Sequence, residues 1–240
     1  MAKRRRVKWL AIILIAALLI GACFIYLSTY SPADKEMITA FSTAAAVEYT
    51  DDSGNMIYSP EEPADVGFIF YPGGKVEAKA YAPLMRLLAQ KGVFCVIAPM
   101  PFNLAIFNTG AAEQIIEGNE SITSWYIGGH SHGGSMAALY AASNEDKIDG
   151  LVLLASYSTQ EISVPTLSII ATEDGVLNRE KYEKSKTNHN SEFTEETILG
   201  GCHAYFGMYG AQSGDGTPTI SPEDQLTQTA DLIADFLLQR

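Results

Sequence analysis

The sequence predicts an α/β domain, a mostly parallel sheet flanked by helices, preceded by one N-terminal transmembrane helix. Three observations predict it. Short apolar runs recur along the chain and are nearly free of polar residues, as strands buried on both faces require. Helical patterns separate most of these runs, the alternation that builds a parallel sheet. Finally, Trp9 to Leu27 is a stretch of 19 residues without a charge.

The chain has 240 residues, 47% apolar and 18% charged, with 20 Gly and 10 Pro. This fits one domain plus an appendage and excludes disorder, collagen or coiled coil as a description of the whole chain. The net charge of −12 is unevenly placed. Residues 1–8 carry Lys3, Arg4, Arg5, Arg6 and Lys8 and no acid, which leaves 11 bases against 28 acids, a net −17, on the rest. A body that acidic is a poor partner for nucleic acid, because phosphate contacts need Lys and Arg. Three cysteines do not make a disulfide scaffold.

Taken in order, residues 1–8 form a cytoplasmic basic segment and residues 9–27 a signal anchor. As a helix the anchor is about 28 Å long, the thickness of a bilayer's hydrocarbon core. The preceding basic cluster stays cytoplasmic, which puts the remaining chain on the extracytoplasmic side of the cell membrane. A cleaved signal and a lipoprotein signal are the alternatives, the latter because Ile20-Gly21-Ala22-Cys23 resembles the lipobox, with Cys23 as the lipidated residue. Residues 28–63 form a stalk and a leading hairpin, in which Asp51-Asp52-Ser53-Gly54-Asn55 supplies the turn between two short strands.

The domain proper spans residues 64–240. Its strands are expected at Val66–Tyr71, Val93–Ala98, Trp125–Ile127, Leu151–Leu154, Leu167–Ala171 and Thr197–Leu199. Tyr81, Leu84, Leu87 and Leu88 share one helical face, and Gly92 follows as a stop. Met136, Leu139 and Tyr140 mark a second helix. Ser221, Pro222 and Asp224 cap and begin a last one, whose stripe is Leu226, Ala230, Ile233 and Leu237. In such sheets the working residues sit in loops at the carboxyl ends of the strands.

One of these loops is Gly128-Gly129-His130-Ser131-His132-Gly133-Gly134, between a strand and an Ala-rich helix. Gly-x-Ser-x-Gly in that setting is a nucleophile elbow: a sharp turn exposes the serine hydroxyl, and the flanking glycines let the backbones pack. The amide of His132, at the helix start, is placed to stabilise an oxyanion. A serine nucleophile needs a base, and the base needs an orienter. His130 and His132 flank Ser131 and are turned from it, and His189 lies in a polar run; His203 remains, in the loop after the last short strand. Asp174, after Leu167–Ala171 and before Gly175, is the acid, with Glu173 as the alternative. The order Ser131, Asp174, His203 follows the chain. The second oxyanion amide is expected from Pro72-Gly73-Gly74-Lys75, at Gly74 or else Lys75. Lys75, Phe102, Asn103 and Tyr205 are candidates to line the pocket. Only Ser158 to Pro165 separates two strands where a lid could be inserted, so little or no lid is expected.

At these residues the sequence resembles small bacterial α/β-hydrolases of α/β-hydrolase family 5, similar to dienelactone hydrolases. The resemblance runs from about Asp65 to Leu238. It rests on Phe70-Tyr71-Pro72-Gly73-Gly74, Met100-Pro101-Phe102-Asn103-Leu104-Ala105, the elbow, Gly150-Leu151-Val152-Leu153-Leu154-Ala155, Gly201-Cys202-His203-Ala204-Tyr205-Phe206-Gly207 and Gly214-Asp215-Gly216. It implies Ser131 as nucleophile, His203 as base, Asp174 as orienter, and no metal or organic cofactor. Two departures matter. Pro72 stands where many esterases have the His of His-Gly-Gly-Gly, and the elbow holds Ser131 where dienelactone hydrolases have cysteine. The resulting expectation is a membrane-anchored serine hydrolase acting on small-molecule or polymer-borne carboxylic esters. The alternatives are an acyltransferase with the same triad, a non-catalytic binding protein on a hydrolase scaffold, and a metallohydrolase using His130, His132, Asp174 and His203.

Overall fold

A computed structural model describes residues 2–41, 48–52 and 54–239. Helix α1 (Ala2–Ser28) is followed by a short α2 (Lys35–Phe41) and a hairpin of β1 (Glu48–Asp52) and β2 (Asn55–Ser59). Then come β3 (Val66–Tyr71), α3 (Ala82–Gln90), β4 (Phe94–Ile97), α4 (Ala111–Glu117), β5 (Ser124–His130) and α5 (His132–Ser143). The chain continues through β6 (Gly150–Leu154), β7 (Thr166–Ala171), α6 (Arg179–Ser185), β8 (Phe193–Ile198) and α7 (Pro222–Leu238).

The strands form one eight-stranded sheet in the order β1-β2-β4-β3-β5-β6-β7-β8. The six strands from β4 to β8 in that order run parallel, whereas β1–β2 and β2–β4 are antiparallel. The leading hairpin is therefore an edge of the sheet, with Met56, Ile57 and Tyr58 paired to Ile97, Val96 and Cys95. Successive residues of the central strands point to opposite faces. Phe68, Phe70, Val152, Leu154 and Ile169 pack with Leu84 and Leu88 of α3 and Ile233 and Leu237 of α7. Ile69, Tyr71, Ile127, Leu151 and Leu153 pack on the other side with Ile115 of α4 and Ala137 and Ala138 of α5. Burial on both faces explains why these strands read as unbroken apolar runs.

One strand is displaced from expectation. The last strand is Phe193–Ile198, not Thr197–Leu199. It is an edge strand whose outward Thr and Glu side chains stay half-exposed, so its polarity masked it. Residues 155–165, joining β6 to β7, contain no helix or strand.

Within α1, Lys8–Ser28 is long and apolar enough to cross a membrane, and its described side chains are exposed except for the half-buried Leu27. The segment after it is docked onto the domain. Ser31 pairs in parallel with Val76, the Glu77 carboxylate accepts the Ala33 amide at 2.9 Å, and the Asp34 amide donates to the Met208 carbonyl at 2.8 Å.

Candidate active site

β5 ends at His130 and α5 begins at His132, leaving one residue to make the turn. That residue, Ser131, has φ 52° and ψ −124°, a conformation sparsely populated by any residue with a Cβ. Strain of this kind persists only where its surroundings hold it. The Ser131 amide donates to the Leu154 carbonyl at 2.9 Å, and the Ser156 hydroxyl donates to the Ser131 carbonyl at 2.7 Å. Glycine at 129 and 133 is a packing requirement. A Cβ on Gly129 would lie 2.5 Å from the Tyr71 carbonyl oxygen, and one on Gly133 would lie 2.2 Å from the carbonyl oxygens of Tyr71 and Pro72.

The loops after β7 and β8 meet beside this turn. His203 Nδ1 and Asp174 Oδ2 are 2.8 Å apart, both side chains almost fully buried. The other carboxylate oxygen of Asp174 accepts the amides of Val176 and Leu177, each at 2.8 Å, so the acid cannot rotate away. His203 Nε2 is buried and has no hydrogen-bond partner among the described residues. Glu173 is not brought to His203; its carboxylate accepts the Thr172 hydroxyl instead.

Asp215 joins the two loops. One oxygen accepts the amides of Gly175 at 3.1 Å and His203 at 3.2 Å, and the other accepts that of Ala204 at 2.8 Å. Burial pushes its carboxyl up, but the amides of Ala204, Gly175 and His203 outweigh this and hold it below the ordinary range. Nothing in the local sequence marks this role, since the partners lie 11 to 40 residues away.

His130 lies behind His203, with ring centroids 4.5 Å apart. Its Nδ1 is 2.9 Å from the Tyr81 hydroxyl, which accepts the Gly73 amide at 3.0 Å. Burial first, and then the neighbouring His203, keep the His130 pKa far below the usual imidazole value, so the ring is neutral. Burial lowers the pKa of half-buried His132 as well.

In the glycine loop after β3, the Gly73 amide is taken by Tyr81 and the Lys75 amide donates to the Asn103 carbonyl at 2.7 Å. The Gly74 amide makes no hydrogen bond among the described residues. Gly74 also lies against the elbow, since a Cβ there would be 3.1 Å from the Cβ of His132.

Ser131, His132 and His203 line one cleft of about 240 Å³, together with Ser135, Tyr157, Val176, Leu177 and Asn178. Its depth comes from the loops after β6 and β7. The four pocket candidates from the sequence do not line it. Lys75 turns its ammonium to the end of α1, Phe102 is exposed, Asn103 serves as backbone acceptor for Lys75, and Tyr205 packs on the core. Tyr157, Val176 and Leu177 were missed because their position depends on how two loops fold together. Among the described residues, no group of three or more His, Cys, Asp or Glu side chains is arranged to hold a metal ion. His130 is turned into the packing beside Tyr81 rather than towards His132.

Similar proteins carry the same architecture. Est1E from Butyrivibrio proteoclasticus is 15% identical, covers 81% of this chain and 98% of its own, and superposes with a TM-score of 0.58. A predicted CIB-like hydrolase from Thermoplasma acidophilum is 15% identical over 80% of this chain and 99% of its own, with a TM-score of 0.55. Carboxyl esterase 2 from the fungus Tuber melanosporum is 13% identical over 88% of this chain and 91% of its own, with a TM-score of 0.61. At such identities the likeness is one of fold. No curated protein sequence matches the chain. The sequence profile of the alpha/beta hydrolase family matches residues 67–227, two-thirds of the chain and every loop described above, and the protein belongs to that family.

Proposed function

We propose that the protein is a membrane-anchored serine hydrolase that cleaves carboxylic esters through an acyl-enzyme. One observation carries this reading. A buried Asp174–His203 pair leaves Nε2 bare in the same cleft as a serine held at φ 52°. The Nε2 atoms of His130 and His189 are likewise without a partner among the described residues, but His203 alone of the three lines the serine's cleft and has its other ring nitrogen held by a carboxylate.

The chemistry follows from that arrangement. Ser131 Oγ attacks the ester carbonyl and passes its proton to His203 Nε2. The C–O bond to the alcohol breaks and His203 returns the proton to the leaving oxygen. Water then adds to the acyl carbon by the same route, releasing the acid and restoring Ser131. Asp174 holds the imidazole orientation and stabilises the imidazolium. The His132 amide, at the start of α5, and the unspent Gly74 amide stabilise the oxyanion, each worth about 3–4 kcal/mol in the transition state. The esterase and hydrolase neighbours support a hydrolytic outcome over transfer to another acceptor.

In this reading the apolar part of α1 spans the cell membrane, the Lys/Arg-rich residues before it stay in the cytoplasm, and the domain lies outside. The test is fluorophosphonate labelling of the full chain in detergent, followed by peptide mapping. Label at Ser131 is expected, falling at least a thousand-fold in Ser131→Ala and His203→Ala. A folded protein that takes no label would remove the triad and leave a binding protein on a hydrolase scaffold.

A further inference from the structure

Exposed large apolar side chains are not spread evenly over the domain. Outside α1 the described ones are Tyr30, Phe102, Ile106, Phe107, Leu199 and Leu238. Leu238 ends α7. Three of the others, Phe102, Ile106 and Phe107, lie in the loop after β4, and Leu199 follows β8, so all four open from the carboxyl edge of the sheet, where Ser131 and His203 sit. Their exposure is 51%, 58%, 53% and 73%. Burying Phe102 or Phe107 within the fold would be favourable, yet the loop displays them. Phe102 and Asn103 hold φ of 56° and 54°, strained for residues with a Cβ, and the Lys75 amide fixes this shape through the Asn103 carbonyl at 2.7 Å. A rigid loop that keeps three large apolar side chains in water is the signature of a surface that meets apolar matter.

The end of α1 arrives at the same edge. Lys75 Nζ donates to the carbonyls of Tyr26 at 2.6 Å and Leu27 at 3.1 Å, and lies 4.9 Å from the Tyr26 ring centroid. Lys75 is the neighbour of Gly74, which touches His132. There is no slack in the connection. α1 ends at Ser28, and Ser31 is already paired to Val76. The intervening chain reaches at most about 10 Å. A helix leaving a bilayer here delivers the catalytic edge to the bilayer surface, with Tyr26 and Lys75 at the interface, where aromatic rings and lysines favour sitting.

We propose that the carboxyl edge of the domain rests on the membrane, with Phe102, Ile106 and Phe107 inserted into its outer leaflet, and that the substrate is an acyl ester of a membrane lipid. This deepens the proposed function and rests on its anchored reading. The ester carbonyls of a lipid lie at the level of the headgroup boundary, where an interfacial apolar loop would hold the mouth of the cleft. The lipid would present its carbonyl to Ser131 without leaving the bilayer entirely. An acidic body that repels anionic surfaces makes such apolar contact, together with the anchor, the means of apposition.

The experiment uses the full chain in vesicles of phosphatidylcholine. In a Cys23→Ala background, Phe107→Cys and, as control on the opposite edge, Glu120→Cys are labelled with an environment-sensitive fluorophore. Flotation with the vesicles reads the anchor. Given flotation, the label at 107 is expected to shift to the blue and be quenched several-fold by lipids carrying a quencher near the headgroup, while that at 120 stays in water. Ile106→Ser/Phe107→Ser is expected to keep its rate on soluble p-nitrophenyl acetate within two-fold and to lose about ten-fold on diacylglycerol in vesicles. Flotation with a water-exposed label at 107 overturns the proposal and leaves the anchor standing. A label at 107 already shifted in detergent at rising protein concentration, and unquenched in vesicles, assigns the patch to a second copy and overturns it too. Failure to float removes the anchored reading and the proposal with it. A membrane-inserted label without turnover of any ester removes the esterase reading and the lipid substrate, but leaves the membrane contact.

Discussion

The carboxylate of Asp215 accepts the amides of His203 and Ala204 on one loop and of Gly175 on another. Gly175 follows Asp174, so one side chain sets the distance between the two halves of the proposed acid–base pair. Removing it leaves the amides of buried His203 and Ala204 unmet, at ~1–3 kcal/mol each. Asp215→Ala is therefore expected to lower kcat on p-nitrophenyl acetate at least ten-fold, with a KM changed less than three-fold, and to slow fluorophosphonate labelling to match. Asp215→Asn, which keeps one acceptor oxygen, should recover part of both. Labelling at the wild-type rate well below the melting temperature would make Asp215 a stabilising residue with no part in positioning. Ser131 and Asp174 were legible as candidates because each follows an apolar run, in a turn with its own local signature, and His203 was the histidine left after the other three. Asp215 was not, for its partners are remote in sequence. The pocket residues were not legible for the same reason: Phe102 looked like lining because of its neighbours in the chain, whereas Tyr157 and Leu177 become lining only when the loops after β6 and β7 are brought together.

At the scale of elements, the strands buried on both faces were readable and the exceptions are instructive. β3 matches its apolar run residue for residue, and β6 and β7 differ by one residue at one end. β8, half-exposed, was placed too late, and α4 and α6, each seven residues long, are too short to show a period. The connection after α1 also escaped notice, since Ser31-Pro32-Ala33-Asp34 has no pattern of its own. It is ordered by the domain: Glu77 accepts the Ala33 amide, and Val76 pairs with Ser31. Glu77→Ala removes one such acceptor and should cost about 1 kcal/mol of local docking, equivalent to about five-fold more frequent opening. Limited proteolysis of the full chain in detergent should show cleavage between residues 29 and 34 accelerated by that factor, with the rest of the domain as resistant as before. Unchanged cleavage would mean that Ser31 pairing alone holds the connection.

For the molecule as a whole, two pH effects oppose one another. Lowering the pH reduces the large negative charge and its self-repulsion, which favours the compact state. Buried histidines act the other way. Burial lowers the pKa of His189 to about 4, and those of His130 and His132 fall by the same cause, which for His130 is reinforced by His203. Between the folded value and the unfolded value of about 6.5, the unfolded chain binds protons that the folded chain does not, so stability rises with pH across that window. The contribution is intact above the unfolded value and is lost as the pH drops below it. Carboxylates held low in the fold, such as Asp215, add their own loss only further down, near the ordinary carboxylate range. From pH 7 to 5 few carboxylates titrate, so the net charge changes little beyond the histidines themselves, and the histidine effect decides the sign. The melting temperature in detergent at constant ionic strength should be level from pH 8 to 7 and fall steadily from about 6.5 to 5. His189→Gln removes one of these groups and should flatten part of that slope while leaving the plateau within a few degrees. A melting temperature that is level or rises on going from pH 6.5 to 5 would show that relief of charge repulsion outweighs the buried histidines.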